Sequence, residues 1–259
     1  MRRLLVAGNW KMNTVRKTAE ALASAVASGA KPHLATVDVL VCPPFPYLVP
    51  VAAALAGSGV SLGAQNVWHE PKGAFTGETS ADMLLDAGCS HVLIGHSERR
   101  HVLREPDDLI NRKVRAAIGK GLHAVLCVGE LPDERSSGRT QAVLDRQMES
   151  GLAGVEAGDF GKLTIAYEPV WAIGTGVTAT PEQAQQAHDH LRKWVAARYN
   201  PEVAKALRIL YGGSVTAKDA KNLFEQADVD GGLVGGASLE AEKFVPIIEA
   251  AAAVTASGK

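Results

Sequence analysis

Apolar residues along this chain do not alternate with polar ones. They come in short unbroken runs rich in valine, leucine and isoleucine, at about residues 4–8, 37–42, 60–65, 91–94, 123–128, 163–167, 208–211 and 231–234. Runs of that kind fit parallel strands buried on both faces. Between them lie segments of helical periodicity with start signals: Asn13 and Thr14 before 15–28, Ser80 before 81–87, Pro106 before 107–119, and Pro181 before 182–199. Eight alternating strand and helix units predict an α/β fold, a closed (β/α)8 barrel in one domain over 1–259. The small and polar residues 250–259 are expected to fray. An open doubly wound sheet is the alternative, because Gly174-x-Gly176-x-x-Ala179 imitates a dinucleotide fingerprint. Its ribose-binding acid is missing, since Trp194 stands at about the required 20-residue distance.

A chain of 259 residues with 46% hydrophobic composition can bury the core of one such barrel. Its 27 basic and 28 acidic side chains leave no global field to favour nucleic acid or an anionic membrane, so any preference for anions must be local. Cys42, Cys89 and Cys127 lack Cys-x-x-Cys spacing, which argues against a disulfide framework and a structural zinc site and fits a reducing cytoplasm. Arg2-Arg3 precedes an apolar run that stops at Gly8, too short for an export signal, and no run approaches membrane-spanning length.

Chemistry concentrates where the runs end. Leu4 to Gly8 leads into Asn9-Trp10-Lys11, and His91 to Ile94 into Gly95-His96-Ser97-Glu98-Arg99-Arg100. Ala166-Tyr167 leads into Glu168-Pro169-Val170-Trp171 and the Gly174-Thr175-Gly176 tip, a carboxylate followed by a segment able to cover it and exclude water. The last two runs open into Gly212-Gly213-Ser214 and Gly235-Gly236-Ala237-Ser238. In a barrel all these ends share one mouth, and the loops after strands seven and eight are where phosphate is commonly cradled, here by Gly213-Ser214 and Gly235-Gly236. Phosphate together with a carboxylate, a histidine and a lysine, and without metal-ligand spacing, suggests proton movement beside a carbonyl, with Glu168 as the base and no cofactor or metal. His33, His69, His101, His123, His188 and His190 lack such context, and Cys127 reads as a small packed residue.

These blocks, in this order from about residue 4 to residue 250, resemble the triosephosphate isomerase family. The resemblance implies that Glu168 takes a proton from C1 of dihydroxyacetone phosphate and returns it to C2, giving glyceraldehyde 3-phosphate through an enediolate. It implies His96 as the electrophile, Lys11 and Asn9 as partners of the phosphate and the developing oxyanion, and Glu98 as the holder of Lys11. Gly174, Ser214, Gly235 and Gly236 would grip phosphate through backbone N–H groups. Val177 stands where many members carry lysine, which bears on loop kinetics alone. The long polar segment Gln65–Thr79 would contact a second subunit and, by the same resemblance, insert beside Asn9 to Met12 of that partner in a homodimer.

Three rival functions remain open at this level. A Schiff-base aldolase needs a lysine at the strand end that carries Glu168. A glycosidase would use Glu98 with Glu168 but has no need of phosphate loops. A noncatalytic phosphate-binding barrel would have no use for Lys11, His96 and Glu168 together.

Overall fold

A computed structural model of the chain describes residues 2–173 and 178–259. The apolar runs form β1 (Leu5–Asn9), β2 (Asp38–Cys42), β3 (Ser61–Ala64), β4 (His91–Ile94), β5 (His123–Val128), β6 (Leu163–Tyr167), β7 (Arg208–Tyr211) and β8 (Gly231–Val234). Each strand pairs in parallel with the next, and β8 returns to β1 with Gly231 opposite Leu5 and Val234 opposite Gly8. That pairing closes the barrel and removes the open doubly wound alternative. The seam requires Gly231, whose φ is +122° and whose imagined Cβ would lie 2.0 Å from the Leu5 carbonyl oxygen.

The unbroken apolar runs are explained by two packed layers. Successive strand residues face opposite sides of the sheet. Leu5, Ala7, Leu40, Leu93, Val125 and Leu210 fill one cluster inside the barrel. Their sequence neighbours Val6, Val39, Val92, Leu126 and Ile209 belong to the larger cluster shared with the surrounding helices. No strand face is left for water, so no polar alternation is needed.

The surrounding helices are α1 (Arg16–Ala30), α2 (Leu48–Leu55), α3 (Ala81–Asp86), α4 (Ser97–His101), α5 (Asp107–Lys120), α6 (Pro132–Ser136), α7 (Thr140–Gly151), α8 (Pro181–Arg198), α9 (Pro201–Ala206), α10 (Ala217–Phe224) and α11 (Ala241–Ala256). Ser80 caps α3 as its position suggests, accepting from the Met83 N–H at 3.3 Å. Two other starts differ from expectation. Asn13 and Thr14 do not cap α1: Thr14 sits at φ +74°, Asn13 donates to the Trp10 carbonyl, and the Val15 N–H is met by Thr18 Oγ1 at 3.0 Å. At α8 the cap is Thr180, reciprocally bonded to Gln183, while Pro181 is the first helical residue.

The chain end also differs from expectation. Rather than fraying at 250, α11 continues to Ala256 with Ala251 and Val254 buried, because its apolar face packs on the barrel. Lys259 then donates to the carbonyls of Phe224, Gln226 and Val229. Among the described residues no helix is long and apolar enough to cross a membrane.

Candidate active site

The ends of β1, β4, β6, β7 and β8 line one cavity of about 450 Å³, which holds Asn9, Lys11, His96, Glu168, Ser214, Gly235 and Gly236 together. That volume suits a small ligand. Glu98 stands at its edge, bonded to Lys11, and Gly174 falls outside the described residues. Strand β6 ends in a carboxylate and not in the lysine an aldolase would need there.

Glu168 is 2% exposed, and both its carboxylate oxygens are engaged. Oε1 lies 2.9 Å from His96 Nε2, and Oε2 accepts the Ser97 N–H at 2.8 Å. Burial favours the protonated acid, but His96, the Ser97 amide and Lys11 together outweigh it and hold Glu168 below the usual carboxylate range. The strand junction beneath is tight. Gly129 at the end of β5 approaches so closely that a Cβ there would lie 1.8 Å from the Glu168 carbonyl oxygen. Gln147 clamps that glycine through both its N–H and its carbonyl, at 2.7 and 3.2 Å.

His96 is the N-cap of α4, 6% exposed, with Nδ1 facing the Glu98 N–H at 3.3 Å. An amide can only donate, so this bond assigns the proton to Nε2, the nitrogen that faces Glu168. Burial works against a charged ring, and the Glu168 carboxylate more than offsets it, raising the His96 pKa in this arrangement. Arg100, absent from the sequence-derived site, fixes the turn. Its side chain is buried and donates to the Gly95 carbonyl at 2.7 Å and the Cys127 carbonyl at 3.0 Å, with Asp107 2.6 Å away as counter-charge.

Lys11 has a backbone φ of +52°, a costly conformation for a residue with a side chain. Two side chains hold it there. Asn9 Oδ1 accepts the Lys11 N–H at 2.9 Å, and Gln65 Nε2 donates to the Lys11 carbonyl at 2.8 Å and to the Cys42 carbonyl at 2.8 Å. Lys11 Nζ then reaches Glu98 Oε1 at 2.7 Å. Gln65, the first residue of the segment expected to meet a second subunit, positions Lys11 within its own chain.

On the far side of the cavity, Ser238 Oγ donates to the Gly235 carbonyl at 2.6 Å and lies 3.3 Å from the Asn9 carbonyl, tying the β8 loop to the end of β1. The Ser214 N–H donates to the Ala172 carbonyl at 3.1 Å. Ala172 precedes the glycine tip, so one of the amides expected to grip phosphate is bonded to the covering segment. Glu130, fully buried, anchors that segment by accepting from Tyr167 Oη at 3.0 Å and Trp171 Nε1 at 2.9 Å. A sequence signal for Glu130 existed, since it stands two residues past β5, close to the place Glu168 takes directly after β6.

The remaining histidines stand apart from the cavity. His188 Nδ1 meets the Asp228 carbonyl at 3.1 Å, whereas His190 Nε2 meets Asp145 at 2.7 Å, so the two point to different partners. Cys42, Cys89 and Cys127 are buried free thiols; burial raises all three pKa values, that of Cys89 to about 12.

A family model described as triosephosphate isomerase matches residues 4–251. The chain is 51% identical over 252 residues to the triosephosphate isomerase of Thiobacillus denitrificans, covering 97% of this chain and 100% of that one. It is 49% identical over 247 residues to that of Treponema denticola, covering 95% and 98%, and 48% identical over 250 residues to that of Porphyromonas gingivalis, covering 96% and 100%. With a closed eight-stranded barrel and a match running nearly end to end, the chain belongs to the triosephosphate isomerase family.

Proposed function

We propose that this chain interconverts dihydroxyacetone phosphate and D-glyceraldehyde 3-phosphate, with Glu168 carrying the proton between the two neighbouring carbons. The observation that supports this most directly is the convergence of Glu168, His96 and Lys11 on one small cavity walled on its other side by the Ser214 and Gly235-Gly236 loops.

The bonds around Glu168 suggest the order of events. Its carboxylate occupies the His96 Nε2 proton and the Ser97 amide, so substrate takes the histidine only as Glu168 turns toward the carbon acid. Away from those donors, in a buried site, the carboxylate becomes a stronger base. His96 loses the Glu168 carboxylate in the same movement, and burial, helped by Lys11 and opposed by Glu98, then lowers its pKa, leaving a neutral Nε2–H to bond the substrate oxygen. A neutral histidine at a helix N-terminus is the known arrangement in triosephosphate isomerases themselves, so this assignment follows the family. Lys11, with Asn9 shaping its turn, supplies positive charge to the phosphate and the enediolate oxygen. Glu98 holds Lys11. Phosphate would draw on the amides of Ser214, Gly235 and Gly236 and, from the covering segment, of Gly174; the Ser214 amide first gives up the Ala172 carbonyl.

Two further parts of the proposal concern surroundings. A homodimer through Gln65–Thr79 is supported by large apolar side chains left exposed at Met12, Phe75, Met83 and Leu85. Only monomer in ultracentrifugation at micromolar concentration would contradict it. Three free buried thiols fit a reducing cytoplasm.

The test of the reaction is conversion of dihydroxyacetone phosphate in heavy water without added metal or nucleotide. Glyceraldehyde 3-phosphate carrying solvent deuterium at C2 is expected. Failure to isomerise would leave a phosphate-binding barrel.

A further inference from the structure

The whole molecule carries a formal charge of −1 and cannot by itself attract a dianion, so recruitment depends on charges placed at the mouth. Two lysines line the cavity, Lys11 and Lys243. Lys11 is tied to the cavity wall by Glu98 at 2.7 Å and is mostly covered. Lys243 differs. Its side chain is 60% exposed, and Nζ lies 2.6 Å from Glu240 Oε1.

The position of Lys243 runs against local stability. It is the third residue of α11, whose N-terminus favours acidic side chains and disfavours cations, and Glu240 is the N-cap of the same helix. A lysine there lies beside Ala237 and Leu239 on the cavity rim, next to the Gly235-Gly236 loop that closes the phosphate side. The i,i+3 ion pair with Glu240 offsets part of that cost, and an arriving phosphate gives the cation a second partner.

We propose that Lys243 is a steering residue that draws phosphorylated substrate toward the Ser214 and Gly235-Gly236 loops, with Glu240 as a counter-charge that partly masks it. The inference rests on the triose phosphate assignment of the cavity and adds the residue that recruits the ligand. The Lys243–Glu240 pair is solvated, so it opens at little cost when a dianion competes for the ammonium. A single cation within about 10 Å, the screening length at 0.1 M salt, changes the encounter with a dianion by about two- to fourfold, and high salt removes the effect.

The test measures kcat/KM for D-glyceraldehyde 3-phosphate in the wild-type chain, Lys243→Gln and Glu240→Gln at ionic strengths of about 10 mM and about 0.5 M. Lys243→Gln is expected to lower kcat/KM about two- to fourfold at low salt with kcat unchanged, and to match the wild type at high salt. Glu240→Gln is expected to raise kcat/KM at low salt, a gain that damage to the fold cannot produce. D-glyceraldehyde, which lacks the phosphate, should be converted equally by wild type and Lys243→Gln. Equal kcat/KM in wild type and Lys243→Gln at low salt, or equal losses with both substrates, would overturn the proposal alone. A wild-type chain that turns over no triose phosphate would overturn the assignment and the proposal together.

Discussion

Glu168 Oε2 accepts the backbone N–H of Ser97 at 2.8 Å, a bond that joins the end of β6 to the first residue of α4. Proline is well tolerated at the first helical position, and His96 before it has φ −50° and ψ 142°, the extended geometry a following proline requires. Ser97→Pro therefore keeps the helix start but deletes one donor to Glu168, and its ring Cδ, standing where the hydrogen pointed, turns Oε2 away from that contact. That donor helps hold the carboxylate below its usual range, so its loss raises the pKa of Glu168 in the free enzyme. The acid limb of the kcat/KM profile is expected to shift to higher pH, with helix content by circular dichroism unchanged. An unmoved limb would mean that the Ser97 amide does not set the charge on Glu168.

Gln65 holds two carbonyls, those of Lys11 and Cys42, with one amide group. Gln65→Ala leaves both without that donor and removes a restraint on the strained Lys11 backbone, a change on the order of 1–3 kcal/mol. A KM rising about tenfold is expected, since 1.4 kcal/mol corresponds to a factor of ten in binding. Gln65→Glu keeps the length of the side chain but presents oxygens to two carbonyl oxygens, and should be worse than alanine. Steady-state kinetics of the two variants would check the order, and an unchanged KM in both would remove Gln65 from the positioning of Lys11.

Acid should weaken the fold well before its carboxylates are protonated. Burial lowers the pKa of His91 to about 4 and those of His123 and His188 to about 3. In the unfolded chain histidine titrates near 6.5, so below that pH the unfolded state binds protons that the folded state refuses. Their contribution is thus present above about pH 6.5 and is lost as pH falls toward 4 and 3, by at most about 1.4 kcal/mol per unit for each ring. Urea midpoints are expected to drop between pH 7 and pH 5. The drop should be smaller in His188→Gln, whose side chain can still donate to the Asp228 carbonyl. Equal midpoints at the two pH values would contradict the neutral state of these rings.

Much of the barrel was legible because its strands are buried on both faces and therefore write themselves as unbroken apolar runs, as at Val92 to Ile94 and Ala124 to Val128. The principal polar groups were legible for the same reason in reverse. Asn9, His96 and Glu168 stand where apolar runs end, and all three line one cavity. What stayed hidden depends on contacts between distant segments. Gln65 reaches a carbonyl 54 positions away, and Arg100 reaches the end of β5 27 positions away. No local pattern records such reach. The start of α1 is hidden for a related reason, since the turn that presents Lys11 carries Thr14 into a left-handed conformation where it cannot cap.

The most direct measurement is the isomerisation rate of Glu168→Gln, which preserves shape and removes the basic oxygen. A loss of kcat of about 10²–10⁴-fold is expected for the removal of a positioned general base, with binding of inorganic phosphate retained. A variant that interconverts the two triose phosphates at the wild-type rate would contradict Glu168 as the proton carrier.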